Sequence, residues 1–196
     1  MRTSVLAVCA GLALVGSTAV STQERTPSTV EKPFKTGGTV RFDLSAGDHE
    51  IRGTDAEAIA IRWRTRSARD DRRVRAHADV RGSRAVVKVD GPHDGFHVRI
   101  EVPRRSDLDL DLSAGDLRVR NIEGNKTLSM WAGDVSIEAG NADLYRRVDA
   151  SVRFGDLDAR PFGVVKGGIF RSFRWTGHGK YTLRAKLFAG DLTFLR

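Results

Sequence analysis

Asp43-Leu44-Ser45-Ala46-Gly47-Asp48 returns letter for letter as Asp111-Leu112-Ser113-Ala114-Gly115-Asp116. Looser copies follow as Trp131-Ala132-Gly133-Asp134, Arg153-Phe154-Gly155-Asp156 and Phe188-Ala189-Gly190-Asp191. From Asp116 onward the aspartates lie 18, 22 and 35 residues apart. The long interval accommodates two turns, with a degenerate one near Gly177 and Gly179. A period of about 20 residues predicts stacked coils, each a unit that buries its apolar face only against its neighbours. Glycine supplies a positive-φ corner, and aspartate caps it with a side-chain bond to the backbone. Gly47, Asp48, Gly115, Asp116, Gly133, Asp134, Gly155, Asp156, Gly190 and Asp191 are therefore read as structural turn corners.

Stacking the copies in register aligns the residues after each corner into columns. Leu117, Val135, Leu157 and Leu192 fall in one apolar column, and Val119, Ile137, Ala159 and Phe194 in a second. Arg118, Ser136, Asp158 and Thr193 fall between them and point outward, and Arg120, Glu138 and Arg160 make an outer column of alternating sign. Elsewhere apolar and polar residues alternate with the period of two that marks strands with one buried face. Ile59, Ile61 and Trp63 alternate with Arg62 and Arg64; Phe96, Val98, Ile100 and Val102 with His97, Arg99 and Glu101; Leu108, Leu110 and Leu112 with Asp107, Asp109 and Asp111. The pattern predicts an all-β, single-domain, right-handed β-solenoid of coils of about 20 residues, with more irregular strands in the N-terminal half.

The chain opens as a secretion signal. Arg2 precedes an apolar run, Val5 to Gly16, and Ser17 to Ser21 offer small residues at the cleavage spacing. The run falls short of the roughly 18 apolar residues a spanning helix needs. Leu6-Ala7-Val8-Cys9 resembles a lipobox, but Val8 is too large for its position and too little chain precedes it. The organisation read from the sequence is a signal peptide over 1–21, a flexible linker over 22–36 carrying Pro27 and Pro33, and the domain over 37–196. Cleavage removes Cys9, the only cysteine, so the mature chain is held by burial and backbone pairing without disulfides. No transmembrane segment is expected in it. Lys and Arg number 33 against 25 Asp and Glu, a formal charge of +8. That excess favours acidic partners, and for an exported chain nucleic acid is not expected among them.

Val102-Pro103, the leucine-aspartate alternation after it and the repeated Gly-Asp-apolar-x-apolar coils resemble the adhesin-like solenoid family of exported bacterial proteins. That family is largely a domain of unknown function, related to the head-GIN adhesins. Gly177-His178-Gly179-Lys180-Tyr181 followed by Leu187-Phe188-Ala189-Gly190-Asp191-Leu192 is similar to that family's final coil. The resemblance covers about Gly37 to Arg196 and implies the fold; it brings no catalytic residues.

Several constellations bear on possible chemistry. A ladder of Asp116, Asp134, Asp156 and Asp191 has the donor type for calcium, but the turn reading suffices, since solvated carboxylates about 4.8 Å apart repel by only about 0.9 kcal/mol. His93 and His97 stand four apart, yet Gly91, Pro92 and Gly95 break the helix a zinc site would require. His49, His77 and His178 are read as surface residues. Ser45 and Ser113 lack the glycine of a nucleophile elbow. Gly163 to Gly168 lacks the ending of a phosphate loop, and Gly177-His178-Gly179 stops short of a dinucleotide fingerprint. No catalytic residue, metal ligand or cofactor is assigned. Phe170, Phe173 and Trp175, interleaved with Arg171 and Arg174, either stack on sugars or pack beneath a degenerate coil.

The strongest candidate binding surface is the arginine-rich run from residue 62 to 75. Alternation places Arg62, Arg64, Arg66, Arg73 and Arg75 outward on two neighbouring strands, a basic face for an anionic glycan or envelope polymer. The competing reading is a solvated face with edge-protecting charge. The sequence thus reads as an exported, periplasmic or cell-surface binding or structural module of adhesin-like type, non-catalytic. The alternatives are a polysaccharide-acting enzyme on a short β-helix and a self-assembling envelope scaffold. Oligomeric state is not read from the sequence.

Overall fold

Residues 28–196 are described by the computed structural model; the expected signal peptide and the first residues of the expected linker lie outside them. The alternating stretches become strands. β1 (Ser28–Pro33), β2 (Thr39–Leu44), β3 (Gly47–Thr54) and β4 (Ala58–Arg64) lead to a one-turn helix, α1 (Ala68–Asp71). β5 (Arg75–Arg81), β6 (Arg84–Asp90), β7 (His97–Pro103) and the long β8 (Asp107–Arg120) follow. The second half holds β9 (Lys126–Ala132), β10 (Val135–Glu138), β11 (Tyr145–Phe154), β12 (Leu157–Ala159), β13 (Val164–Lys166), β14 (Ile169–Thr176), β15 (Tyr181–Ala189) and β16 (Leu192–Leu195), with short 3-10 turns before β11 and after β12.

These strands form one all-β network made of two ladders. The first runs β1-β4-β7-β3-β8-β10-β16-β12-β13. The second runs β5-β6-β2-β8-β9-β15-β11-β14. β8 belongs to both: Leu108 to Leu112 pair with β2 and β9, and Gly115 to Arg120 pair with β3. A Gly-Asp corner carries the chain from one ladder to the other in each repeat. Inward residues of both ladders meet in one buried cluster that includes Phe42, Ile51, Leu110, Leu117, Val148 and Phe194. Alternation put them there, since residues two apart share a face and the buried face is apolar.

The register of the repeats is as the spacing requires. Leu117 opposes Val135, Val135 opposes Leu192, and Leu192 opposes Leu157; Val119, Ile137 and Phe194 make the second column. The order of stacking differs from the order in the chain. β15 and β16 lie between the β9–β10 pair and the β11–β12 pair, and β2 and β3 lie between the β6–β7 pair and β8.

Three expectations are corrected. The interval from Asp156 to Asp191 is not two turns: β13 and β14 fold back antiparallel on β12 and β11 and cover that end of the two ladders, and only then does the chain enter β15 and β16. The expected linker carries β1, which pairs antiparallel with β4, and Phe34 is buried at 2% exposure. A strand is needed there because the outer edge of β4 otherwise presents unpaired backbone groups. The outer column Arg120, Glu138 and Arg160 is interrupted, because Leu195 is the register partner of Glu138 on the side of β12. Arg120 faces Arg52, Glu138 accepts a bond from the Asn121 backbone, and Arg160 opens a 3-10 turn beside Asp158.

Candidate functional site

The corners show why glycine recurs. Gly115, Gly133, Gly155 and Gly190 have φ of +114°, +121°, +132° and +120°, conformations that strain any L side chain. They also touch across coils. A Cβ on Gly133 would fall inside the carbonyl oxygen of Gly115, one on Gly190 inside that of Gly133, and one on Gly155 inside that of Gly190. The aspartates tie coil to coil: the Asp191 backbone N–H donates to Asp134 Oδ1 at 3.1 Å, and that of Asp156 to Asp191 Oδ1 at 2.9 Å. At Asp134 and Asp191 the carboxylate therefore bonds the backbone of a neighbouring strand's corner.

The five arginines expected to share a face are separated by the fold. Arg62 and Arg64 lie on β4, paired with β1 and β7 in the first ladder; Arg75 lies on β5, paired with β6 in the second. The strands are not neighbours, because α1 carries the chain across from one ladder to the other. Ser67 caps α1 by accepting the Asp70 N–H at 3.1 Å. Arg62 pairs with Glu101 at 2.5 Å, Arg73 lies 3.9 Å from Asp70, and Arg66 lies against Gly95. The run is a belt of partly neutralised charge around one end of the molecule.

A different cluster forms on the outer face of the second ladder. Trp131 on β9 and Phe188 on β15 stack with ring centroids 4.0 Å apart and planes 5° from parallel. Next in the row, the Arg153 guanidinium on β11 lies 5.4 Å from the Phe188 ring centre and 5.3 Å from that of Phe170 on β14. Phe154 packs edge-on against Phe188 at 5.5 Å. Trp131 and Phe170 are each 63% exposed, an unusual state for large rings gathered in one place. Phe170 also holds φ at +55°, a strained conformation for a bulky residue. Phe173 and Trp175, read beside Phe170 in the sequence, instead pack with Phe162 beneath the capping strands. Alternation along β14 splits the three aromatics between its two faces.

One row along, Asp111, Ser129 and Lys186 are cross-strand neighbours on β8, β9 and β15. Between the two rows lies an open hollow of about 440 Å³, lined by these three together with Trp131, Arg153 and Phe188. Neither Arg153 nor Lys186 forms an ion pair with a carboxylate among the described residues, whereas Arg174 and Arg147 nearby are held by Asp149 at 2.8 and 2.6 Å. That pairing keeps Asp149 below the usual carboxylate range.

Two polar side chains sit unexpectedly in the core. His49, read as a surface residue, is 2% exposed and opposes Leu117 in the apolar column. Its Nε2 lies 2.9 Å from the Ser45 carbonyl, and burial pushes its pKa below the ordinary histidine value. Lys126 stands between Leu108 and Leu183. Its Nζ donates to the Ile122 carbonyl at 2.8 Å and to the Tyr145 hydroxyl at 2.9 Å. Burial lowers Lys126 to about 8 and pushes Tyr145 up. Period two was the available signal: Lys126 shares a face with Leu128 and Met130, and His49 with Ile51.

No protein-family model and no curated protein sequence matches this chain. Among solved structures, a "putative cell adhesion protein" from Clostridium sporogenes superposes with a TM-score of 0.54 at 14% identity, covering 86% of this chain and 99% of that one. The two share a fold. A "putative lipid binding protein" from Parabacteroides distasonis matches at a TM-score of 0.25 and 8% identity over 88% of this chain and 98% of its own. A "putative adhesin" from Bacteroides fragilis matches at 0.27 and 9% over 87% and 98%. Among the described residues no helix is long and apolar enough to cross a membrane.

Proposed function

We propose that this chain is an exported, non-catalytic, adhesin-like module of the cell envelope, a solenoid-like stack that holds an anionic envelope polymer against an open sheet face. The observation that carries the reading is the outer row of the second ladder, where the exposed Trp131 ring stacked on half-buried Phe188 stands beside Arg153 and Lys186, cations without a carboxylate partner among the described residues. Aromatic surface with unpaired positive charge suits a polymer that is flat, hydroxylated and acidic. The fold shared with an adhesion-type protein is in keeping with it. The arginine belt of residues 62–75 steers acidic polymer toward the molecule rather than gripping it.

Retention of the protein on immobilised polyuronate, compared with neutral dextran, tests the reading. Retention on the acidic polymer alone is expected, falling as salt rises, because the Debye length shrinks from about 10 Å at 0.1 M to about 3 Å at 1 M. Equal passage through both matrices at low salt refutes it.

A further inference from the structure

Resting on the reading of the chain as a binding module, we infer that the hollow between the two outward rows of the second ladder is a subsite for a single uronate-type pyranose within an acidic polysaccharide. Phe188 covers one face of the Trp131 indole. The other face lies toward β8, where the register neighbour is Ser113, too short to cover an indole. A free, exposed indole face is what the C–H face of a pyranose packs on. The floor is low because Ser129 is small, and the hollow of about 440 Å³ has the size of a small-ligand site. Arg153 and Lys186 supply the positive side. Lys186 is a mobile point charge, and Arg153 is held in place by the rings on either side of it.

Asp111 decides between ligand classes. It lines the hollow as an exposed carboxylate without a hydrogen bond or ion pair to a described residue, and its neighbour on β2 is Asp43. A carboxylate accepts hydrogen bonds from sugar hydroxyls. Asp109, one row away, is paired with Arg41 and Asp43 with Lys88, which leaves Asp111 as the uncompensated carboxylate that repels an extended anionic lipid surface laid on this face. A single saccharide strand crossing the basic half avoids that repulsion. The arrangement of one acceptor, two donors of positive charge and one free aromatic face therefore matches an acidic sugar and not a bilayer.

The test titrates the protein with a tetra-galacturonate and follows tryptophan fluorescence, alongside a neutral oligosaccharide of equal length and phosphatidylglycerol vesicles. Saturable change with the acidic oligosaccharide alone is expected. Trp131→Ala and the pair Arg153→Gln with Lys186→Gln, read by calorimetry, should each weaken binding about tenfold or more. Asp111→Asn should weaken it several-fold; tighter binding by this variant would show that Asp111 only repels the anion and would overturn its role as acceptor. All four residues are exposed, and circular dichroism and melting will confirm that the variants keep the fold. If the parent binds polyuronate and the variants bind equally well, the hollow is not the site, while the binding-module reading stands. Preference for vesicles or for the neutral sugar overturns the ligand class. If the parent binds none of the three probes and no acidic polymer, the module reading falls with it.

Discussion

The arginine belt and the aromatic row are opposites. The belt is continuous in the chain, Arg62 to Arg75, and the fold distributes it over two ladders, with the helical crossing α1 between β4 in the first and β5 in the second. The row is scattered in the chain over Trp131, Arg153, Phe170 and Phe188, and the fold sets these residues side by side on four adjacent strands. In these ladders neighbouring strands come from distant segments, Trp131 and Phe188 lying 57 positions apart, so a run of like residues is spread over the molecule while a surface is assembled from scattered positions. Composition windows see the first and are blind to the second.

The largest expected effect strikes the device that makes the row possible. Gly133→Val forces a β-branched residue to positive φ and drives its Cβ into the Gly115 carbonyl. Destabilisation of about 3 kcal/mol or more is expected in denaturant titration, while the outward change Ser136→Thr should stay within about 0.5 kcal/mol. Equal stability of Gly133→Val and the parent would break the stacking on which the contrast rests.

A smaller effect tests the inward side of the same strand, β9, whose outward side carries Trp131. The folded state holds Lys126 near 8, below its ordinary 10.5. Between those values the unfolded chain binds the extra proton, so stability should rise with pH. Above about 10 the raised Tyr145 reverses the trend, because only the unfolded tyrosine ionises there. A rise in melting temperature from pH 8 to 10, on the order of 2 kcal/mol in stability, that disappears in Lys126→Met is the expected outcome; a flat parent profile would contradict the burial of this amine.

The smallest effect sharpens the contrast itself. A double-mutant cycle on Trp131 and Phe188 should return a coupling of about 0.5–1.5 kcal/mol. The same cycle on Arg64 and Arg75 should return less than about 0.3 kcal/mol, because residues in different ladders share no partner. Coupling between the two arginines would mean that the belt is a face after all.

The parts of this fold readable in advance were those set by local rules. Period-two alternation placed Ile59, Leu110 and Val98 inward, and the repeated Gly-Asp pair fixed the corners and the column Leu117, Val135, Leu192 and Leu157. The stacking order was not readable, because β-pairing carries no address: Leu192 is as suitable a neighbour for Val135 as Leu157 is. The return strands β13 and β14 were hidden for a related reason, since their direction depends on which edge needs covering. Lys126 and His49 were readable from parity, but their polarity argued against it. The hollow required the stacking order, and so lay beyond the sequence.

That order has a consequence for how the molecule is made. β15 and β16 fill the gap between β9–β10 and β11–β12, so the two parts of the stack have no continuous ladder until residues 181–195 take their place. Until those residues arrive the chain is two incomplete pieces with open strand edges, and its closing contacts span 57 positions, as between Ser129 and Lys186. Such long-range closure is slow. Residues 181–195 thus act as a keystone, without which neither ladder is continuous.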